Sequence, residues 1–379
     1  MQPVVIHHPE KLVFGAGSFD RFVEDMKVLG KKRLYILSVP ILSGRIIEKL
    51  APLADMGITF QINDTLSSEP GVSHYHVFMN EAIDFAPDAV VGIGGGSVLD
   101  VAKLIAALYQ NEQTLNEVFG IGLLKSRTLY LACLPTTSGT GSEVSPNSIL
   151  LDEKDGMKKG VISPYLVPDA AYIDPLLTIG MPAGITASTG MDALTHCLEA
   201  FTNKFAHPVI DLYALEGMRL ISQNLVKAYA DDLEARTNVS LGSMYGGMCL
   251  GPVNTTAVHA LSYPLGSEFK IAHGLANAVL LPEVMEFNMV AAPNRFEQVA
   301  LALGVAQRPT ALETAREGVL LVRKLMKDCG LPAKISELGV PESAIHEMAK
   351  SALTVQRLLK NNIREVTLED AMNIYRKAF

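Results

Sequence analysis

Tryptophan is absent from this 379-residue chain, aromatic residues make up only 6% of it, and its four cysteines, Cys133, Cys197, Cys249 and Cys329, are scattered without paired spacing. Such dispersal argues against a disulfide framework and fits buried thiols in a reducing compartment. Basic residues are in deficit: 32 Lys and Arg against 40 Asp and Glu leave a formal net charge of −8. That balance argues against nucleic acid or an anionic membrane as partner, since either rewards a basic face. Long apolar runs are missing too. The uncharged stretch from Thr237 to Val258 is diluted by Asn238, Ser240, Ser243, Pro252, Asn254, Thr255 and Thr256, and so reads as a buried helix and a loop, not as a membrane span. The opening "MQPVVIHHPEKLVFGAG" lacks the basic region and apolar core of an export signal, so a cytoplasmic location is expected. What remains is 49% hydrophobic and 19% charged, a well-packed chain long enough for two domains and suited to a small-molecule partner.

Two patterns divide the chain. Up to about residue 180, short β-rich runs alternate with helical spacing: "RLYILSV" (33–39), "TFQIND" (59–64), "AVVGIG" (89–94), "TLYLACL" (128–134) and "AYID" (171–174). That alternation predicts a mostly parallel sheet with helices on its faces. From Met181 onward the strand-like runs stop and apolar residues recur at helical spacing, which predicts an all-helical second domain over 181–379. "IDPLLTIGMPAG" is the natural junction, and Thr367 with Asp370 reads as a capping box opening a last helix. A ligand is expected in a cleft between two such domains.

Two loops in the first domain suit a phosphate-bearing ligand. "DAVVGIGGGSVLDVAK" runs from an apolar strand through glycines and Ser97 into a helix, where bare amides and the helix dipole favour an anion. Its G-x-G-x-x-S spacing departs from the dinucleotide fingerprint, and a simple tight turn is the plainer reading. "PTTSGTGSEVS" (135–145) adds hydroxyls and glycines after another β-rich run, and the pair together fit a cofactor with several phosphate and ribose oxygens.

"GMDALTH" places Asp192 and His196 at i and i+4 on one helical face. The pair is either a helix-surface contact or half of a metal site. His259 and His273 are the other histidines in apolar, small-residue surroundings, where a charged imidazole is costly without a partner. One carboxylate and three imidazoles suit Fe2+ or Zn2+.

"GGGSVLDVAK", "LPTTSGTGSEVS", "MPAGITASTGMDALTHCLEAF" and "VHALSYPLGSEFKIAHGLANAVLLP" together resemble, in order, the recurring blocks of the iron-containing, or group III, alcohol dehydrogenases, over nearly the whole chain. The resemblance implies a Rossmann-like NAD(P)-binding domain followed by an all-α domain, the architecture shared with dehydroquinate synthase. It implies iron, or in some members zinc, held by Asp192, His196, His259 and His273. It assigns the cofactor to Gly95, Gly96, Ser97 and Asp100, then Thr136, Thr137 and Thr140, and more loosely to Lys158 and Thr178. The implied activity is reversible hydride transfer between a small primary alcohol, or other hydroxy compound, and NAD or NADP, and the resemblance implies a homodimer or larger homo-oligomer.

Two positions depart from that pattern. Tyr263 stands where many alcohol-oxidising members carry a further histidine; a phenol can donate to a substrate oxygen or relay a proton, and simple packing is the alternative. Val39 stands where NAD-preferring members often carry an aspartate, which removes repulsion of a 2′-phosphate and leaves NADP admissible. Alternative readings are a glycerol dehydrogenase-like polyol oxidoreductase and a dehydroquinate synthase-like lyase. The four-member ligand set and the shortage of basic residues in these motifs count against the lyase.

Overall fold

A computed structural model describes residues 3–66, 70–154 and 156–379, which form two compact units. One contains His7–Thr137 and Ser142–Ile179; the other contains the described residues up to Ile6, the short segment Ser138–Gly141, and Gly180–Phe379.

The first unit holds β1 (Lys11–Phe14), β2 (Arg33–Leu37), β3 (Thr59–Asn63), β4 (Ala89–Gly94), β5 (Gly120–Ile121), β6 (Tyr130–Pro135), β7 (Asn147–Asp152), β8 (Met157–Ile162) and β9 (Ala170–Ile173). Its helices are α1 (Ser18–Val28), α2 (Ser43–Asp55), α3 (Val72–Phe85), α4 (Gly96–Leu108) and the short α5 (Leu115–Val118). Six strands form one sheet in the order β1-β9-β6-β4-β2-β3, and every neighbouring pair is parallel. Both faces are buried. Alternate residues of β2 serve different cores, with Leu34 and Ile36 packing toward α1 and α2 while Tyr35 and Leu37 join α3 and α4. A strand buried on both sides reads as continuous apolar sequence, which is why these runs stand out. The strands β5, β8 and β7 make a second, three-stranded sheet in which β7 and β8 are an antiparallel pair.

Chain order reverses beside β2: the chain passes from β2 outward to β3, then returns to β4 on the other side. Such a switch point opens a crevice at the carboxyl ends of the flanking strands, the usual ligand position in an open α/β sheet. Val39 follows β2 there, and the glycine loop follows β4.

The second unit is helical: α6 (Ala183–Phe201), α7 (Pro208–Tyr229), α8 (Leu233–Leu250), α9 (Ala257–Phe269), α10 (His273–Met289), α11 (Pro293–Leu303), α12 (Ala311–Asp328), α13 (Ile345–Leu353), α14 (Gln356–Leu359) and α15 (Leu368–Ala378). One apolar core runs through it, with α6 so enclosed that its face from Gly190 to Phe201 is buried all round. Thr367 and Asp370 form the capping box at the start of α15. All four cysteines are buried and free. Among the described residues no helix is long and apolar enough to cross a membrane.

Candidate active site

In the helical unit the four metal-ligand candidates come from three helices. Asp192 and His196 lie one turn apart on α6, His259 is in the first turn of α9, and His273 opens α10. The Asp192 Oδ1 is 3.7 Å from Nε2 of both His259 and His273 and 3.9 Å from Nε2 of His196. Candidate ligand atoms of Asp192, His196 and His259 all lie within 4.8 Å of one another. His273 meets the group through Asp192 and is its open side: its side chain is 31% exposed, against 3% to 5% for the other three. The close seating of α10 on α6 depends on Gly274, where a Cβ would fall 2.4 Å from the Ser188 carbonyl oxygen and 3.3 Å from Cβ of Asp192.

Backbone and side-chain acceptors set the imidazole tautomers. His196 Nδ1 faces the Gly139 carbonyl at 3.3 Å, and His259 Nδ1 faces the Glu199 carboxylate at 2.6 Å. Each Nδ1 therefore carries the proton and donates it, which leaves both Nε2 atoms bare, 3.0 Å apart and pointing at one another. The Asn277 amide nitrogen also lies 3.2 Å from His259 Nε2 and 3.3 Å from His273 Nε2, and a cation between the facing lone pairs of His196 and His259 would relieve their repulsion. Asn277, fully buried one turn after His273, donates from Nδ2 to Asp192 Oδ1 at 2.7 Å, and its own Oδ1 has no partner. The donor set and this orphaned oxygen fit a divalent ion bound by nitrogen and oxygen.

Burial opposes charge at both Asp192 and His196. On Asp192 the three imidazoles and the Asn277 amide outweigh it and hold the carboxyl down at about 2. On His196 burial prevails and pushes the imidazole below its ordinary range. An ionised carboxylate beside a neutral imidazole is the protonation state that metal ligation requires.

Tyr263 lies on α9 one turn after His259, with its ring 6.4 Å from that of His273. Its Oη accepts a hydrogen bond from Arg357 on α14 at 2.7 Å, and the guanidinium also sits over the ring. Glu199, Asn277 and Arg357 were not singled out in the sequence. A signal existed for two of them: Glu199 continues the polar stripe of Asp192 and His196 along an otherwise apolar helix, and Asn277 is one turn after His273.

In the α/β unit the two loops converge. Gly95 caps α4 in extended backbone, and a Cβ on it would meet Thr137 Oγ1 at 3.2 Å. The Thr136 amide donates to the Gly94 carbonyl at 3.0 Å, tying the end of β6 to the end of β4. Gly95, Gly96, Ser97, Thr136 and Thr137 thus gather at adjacent strand ends, at the start of α4. Asp100, a turn inside α4, braces this region: its carboxylate accepts from Ser142 Oγ at 2.6 Å and from the Ile149 amide at 2.9 Å. Lys103, fully buried, donates from Nζ to the carbonyls of Ser145 and Asn147. Thr178 follows β9 and donates its hydroxyl to the Pro175 carbonyl, whereas Lys158 lies on β8 in the three-stranded sheet.

Thr140 belongs to the segment that packs with the helical unit. There Ser138 Oγ meets Ser240 Oγ at 2.7 Å, and Gly141 adopts φ +60° with a would-be Cβ 2.4 Å from Gly247. A side chain at Gly141 would both strain the backbone and displace that contact.

Comparison with known proteins settles the kinship. The family model for iron-containing alcohol dehydrogenase matches residues 9–175, and that for the C-terminal region of the Fe-containing alcohol dehydrogenase family matches residues 186–379. The chain belongs to the iron-containing alcohol dehydrogenases. It is 36% identical to long-chain-alcohol dehydrogenase 1 of Geobacillus thermodenitrificans, covering 96% of this chain and 94% of that one. It is 33% identical to 1,3-propanediol dehydrogenase of Klebsiella pneumoniae, covering 98% and 97%. A solved 1,3-propanediol oxidoreductase superposes with a TM-score of 0.96 at 32% identity over the full length of both chains. The iron-containing alcohol dehydrogenase from Thermotoga maritima gives 0.85 at 30% over 99% of each. The chain is accordingly an oxidoreductase of the alcohol dehydrogenase type.

Proposed function

We propose that this iron-containing alcohol dehydrogenase family member interconverts small primary alcohols, or related hydroxy compounds, and their aldehydes with NAD or NADP as the hydride carrier. The observation that carries the reading is the convergence of Asp192 with the bare Nε2 atoms of His196 and His259, with His273 at the open side. When bound, divalent iron, or zinc in its place, supplies Lewis acidity toward a substrate oxygen, and the nicotinamide accepts or returns the hydride.

The chain's own residues do the rest. Asp192, His196, His259 and His273 are the proposed ligands, and the enclosure of the first three keeps bulk water from them. Tyr263 packs near His273, the most exposed of the four, and we assign it to orienting a substrate oxygen or passing its proton outward, with Arg357 fixing the phenol. Amides of Gly95, Gly96 and Ser97 at the head of α4 are suited to the cofactor's phosphates, with Thr136, Thr137 and Thr140 supplying hydroxyls and Asp100 holding the loops in register. Thr178 and, at a greater remove, Lys158 complete the proposed cofactor set. Val39 beyond β2 offers no carboxylate to repel a 2′-phosphate, and no arginine or lysine follows in that loop to attract one, so the reading admits either NAD or NADP.

The test is metal analysis of protein purified without added metal or chelator, joined to steady-state assays with NAD and with NADP over a panel of short alcohols and aldehydes. About one iron or zinc per chain, with turnover lost on chelation, is the expected result. Full activity in metal-stripped protein would sink the reading.

A further inference from the structure

We propose that Glu199 is a positioning residue that makes His259 a metal ligand by deciding which of its ring nitrogens carries the proton. The inference rests on the metal reading above. Glu199 is only 1% exposed, and both of its oxygens are engaged. Oε1 accepts from the Val258 amide at 2.6 Å and from the Thr256 hydroxyl at 2.8 Å, and Oε2 accepts from His259 Nδ1 at 2.6 Å. With Oε1 already taken by two donors, the Glu199 carboxylate meets the imidazole through Oε2 as an acceptor, so His259 places its proton on Nδ1 and keeps the lone pair on Nε2. That Nε2 is the atom directed at His196 and Asp192. Helix α6 therefore supplies two donors directly, Asp192 and His196, and one turn further on orients a third that belongs to α9. Asp192 and Glu199 together also place two negative charges in the site, which balances a divalent ion in a buried setting.

A purely architectural role for Glu199, pinning the start of α9 to α6, makes a different prediction for Glu199→Gln. The amide is the same size, and its oxygen can still accept from Val258 and Thr256. Its NH2 then faces His259 Nδ1, which has to become an acceptor, and the ring proton moves to Nε2. Turning the amide round would instead set two donors against each other at Val258. The substitution thus preserves the anchor and blocks the ligand nitrogen.

The experiment uses full-length, metal-stripped protein with Co2+ as the probe. Histidine 15N NMR of the wild type should show His259 protonated on Nδ1, and that measurement needs no variant to fold. Glu199→Gln should move the proton to Nε2 and melt as the stripped wild type does. Its Co2+ affinity, measured by chelator competition and d–d absorption, should fall by about 10- to 100-fold. Wild-type affinity and spectrum in Glu199→Gln, or a wild-type His259 protonated on Nε2, would overturn the assignment. Co2+ uptake by the wild type that is lost in Asp192→Asn but intact in Glu199→Gln overturns the Glu199 role alone. A wild type that takes up no Co2+ overturns that role and the metal reading together.

Discussion

Tyr263 offers one phenol oxygen at the open side of the histidine cluster, and Arg357 donates to it at 2.7 Å. Tyr263→Phe keeps the ring against His273 and removes only that oxygen. If the phenol orients substrate or carries its proton, kcat should fall by roughly 100-fold, the lower end of what a positioned proton-transfer group contributes. Unchanged steady-state kinetics would make the tyrosine a packing group. Glu143 poses a separate question of charge. Burial pushes its carboxyl up from 4.5 to about 7 against the pull of Lys103. Between those values the unfolded chain has released a proton that the folded chain retains, so stability falls as pH rises through that window. Urea midpoints measured from pH 4.5 to pH 7.5 should show that decline, and Glu143→Gln should flatten it; an equal slope in both proteins would rule the group out. The four proposed ligands were legible in the sequence because aspartate and histidine are rare inside apolar, small-residue stretches. Arg357 is not, since an arginine at helical spacing looks like any solvated one until the fold shows what it faces, and Glu199 shows only as a continuation of the Asp192 and His196 stripe, with nothing to say which group it orients.

Elements are legible where their apolar or β-favouring residues run together, whether buried on both faces as in β4 or half-exposed as in β3. The strands β2, β3 and β4 lie within the β-rich runs, β6 and β9 overlap theirs to within a residue, and the capping box opens α15. Strands β1, β5, β7 and β8 fall outside those runs. Burial alternates along β7, and its apolar residues in "NSILLD" are flanked by polar ones, while its antiparallel partner β8, "MKKGVI", is interrupted by two lysines and a glycine, so neither shows a long apolar run. Lys103 joins this hidden hairpin to a helix that the sequence did reveal. Its ammonium is buried in α4 and donates to two carbonyls at and before the start of β7, at 2.8 and 2.9 Å. Lys103→Met fits the same space but strands both acceptors, at a cost of about 2–4 kcal/mol. A lowered urea midpoint with the m-value unchanged would bear this out, and an unaltered midpoint would mean that water replaces the ammonium.

Division of labour across the whole molecule predicts where metal will be felt. All four proposed ligands belong to the helical unit, on α6, α9 and α10, whereas the glycine and Thr136–Thr137 loops belong to the α/β unit. A ligand that binds only the folded state stabilises it by about 2.7 kcal/mol at 100 times its Kd. Hydrogen exchange reports where such stabilisation is distributed, because backbone amides open in local units with their own free energies. Adding Zn2+ to stripped protein should slow exchange most in 190–201, 257–263 and 273–280, and leave the amides of β2, β4 and β6 close to their metal-free rates. Adding NAD instead should protect the amides at the start of α4 and the end of β6 first. Zinc protection centred on the strands of the sheet, with α6 unchanged, would show that the ion is held elsewhere and that the buried imidazoles serve the fold alone.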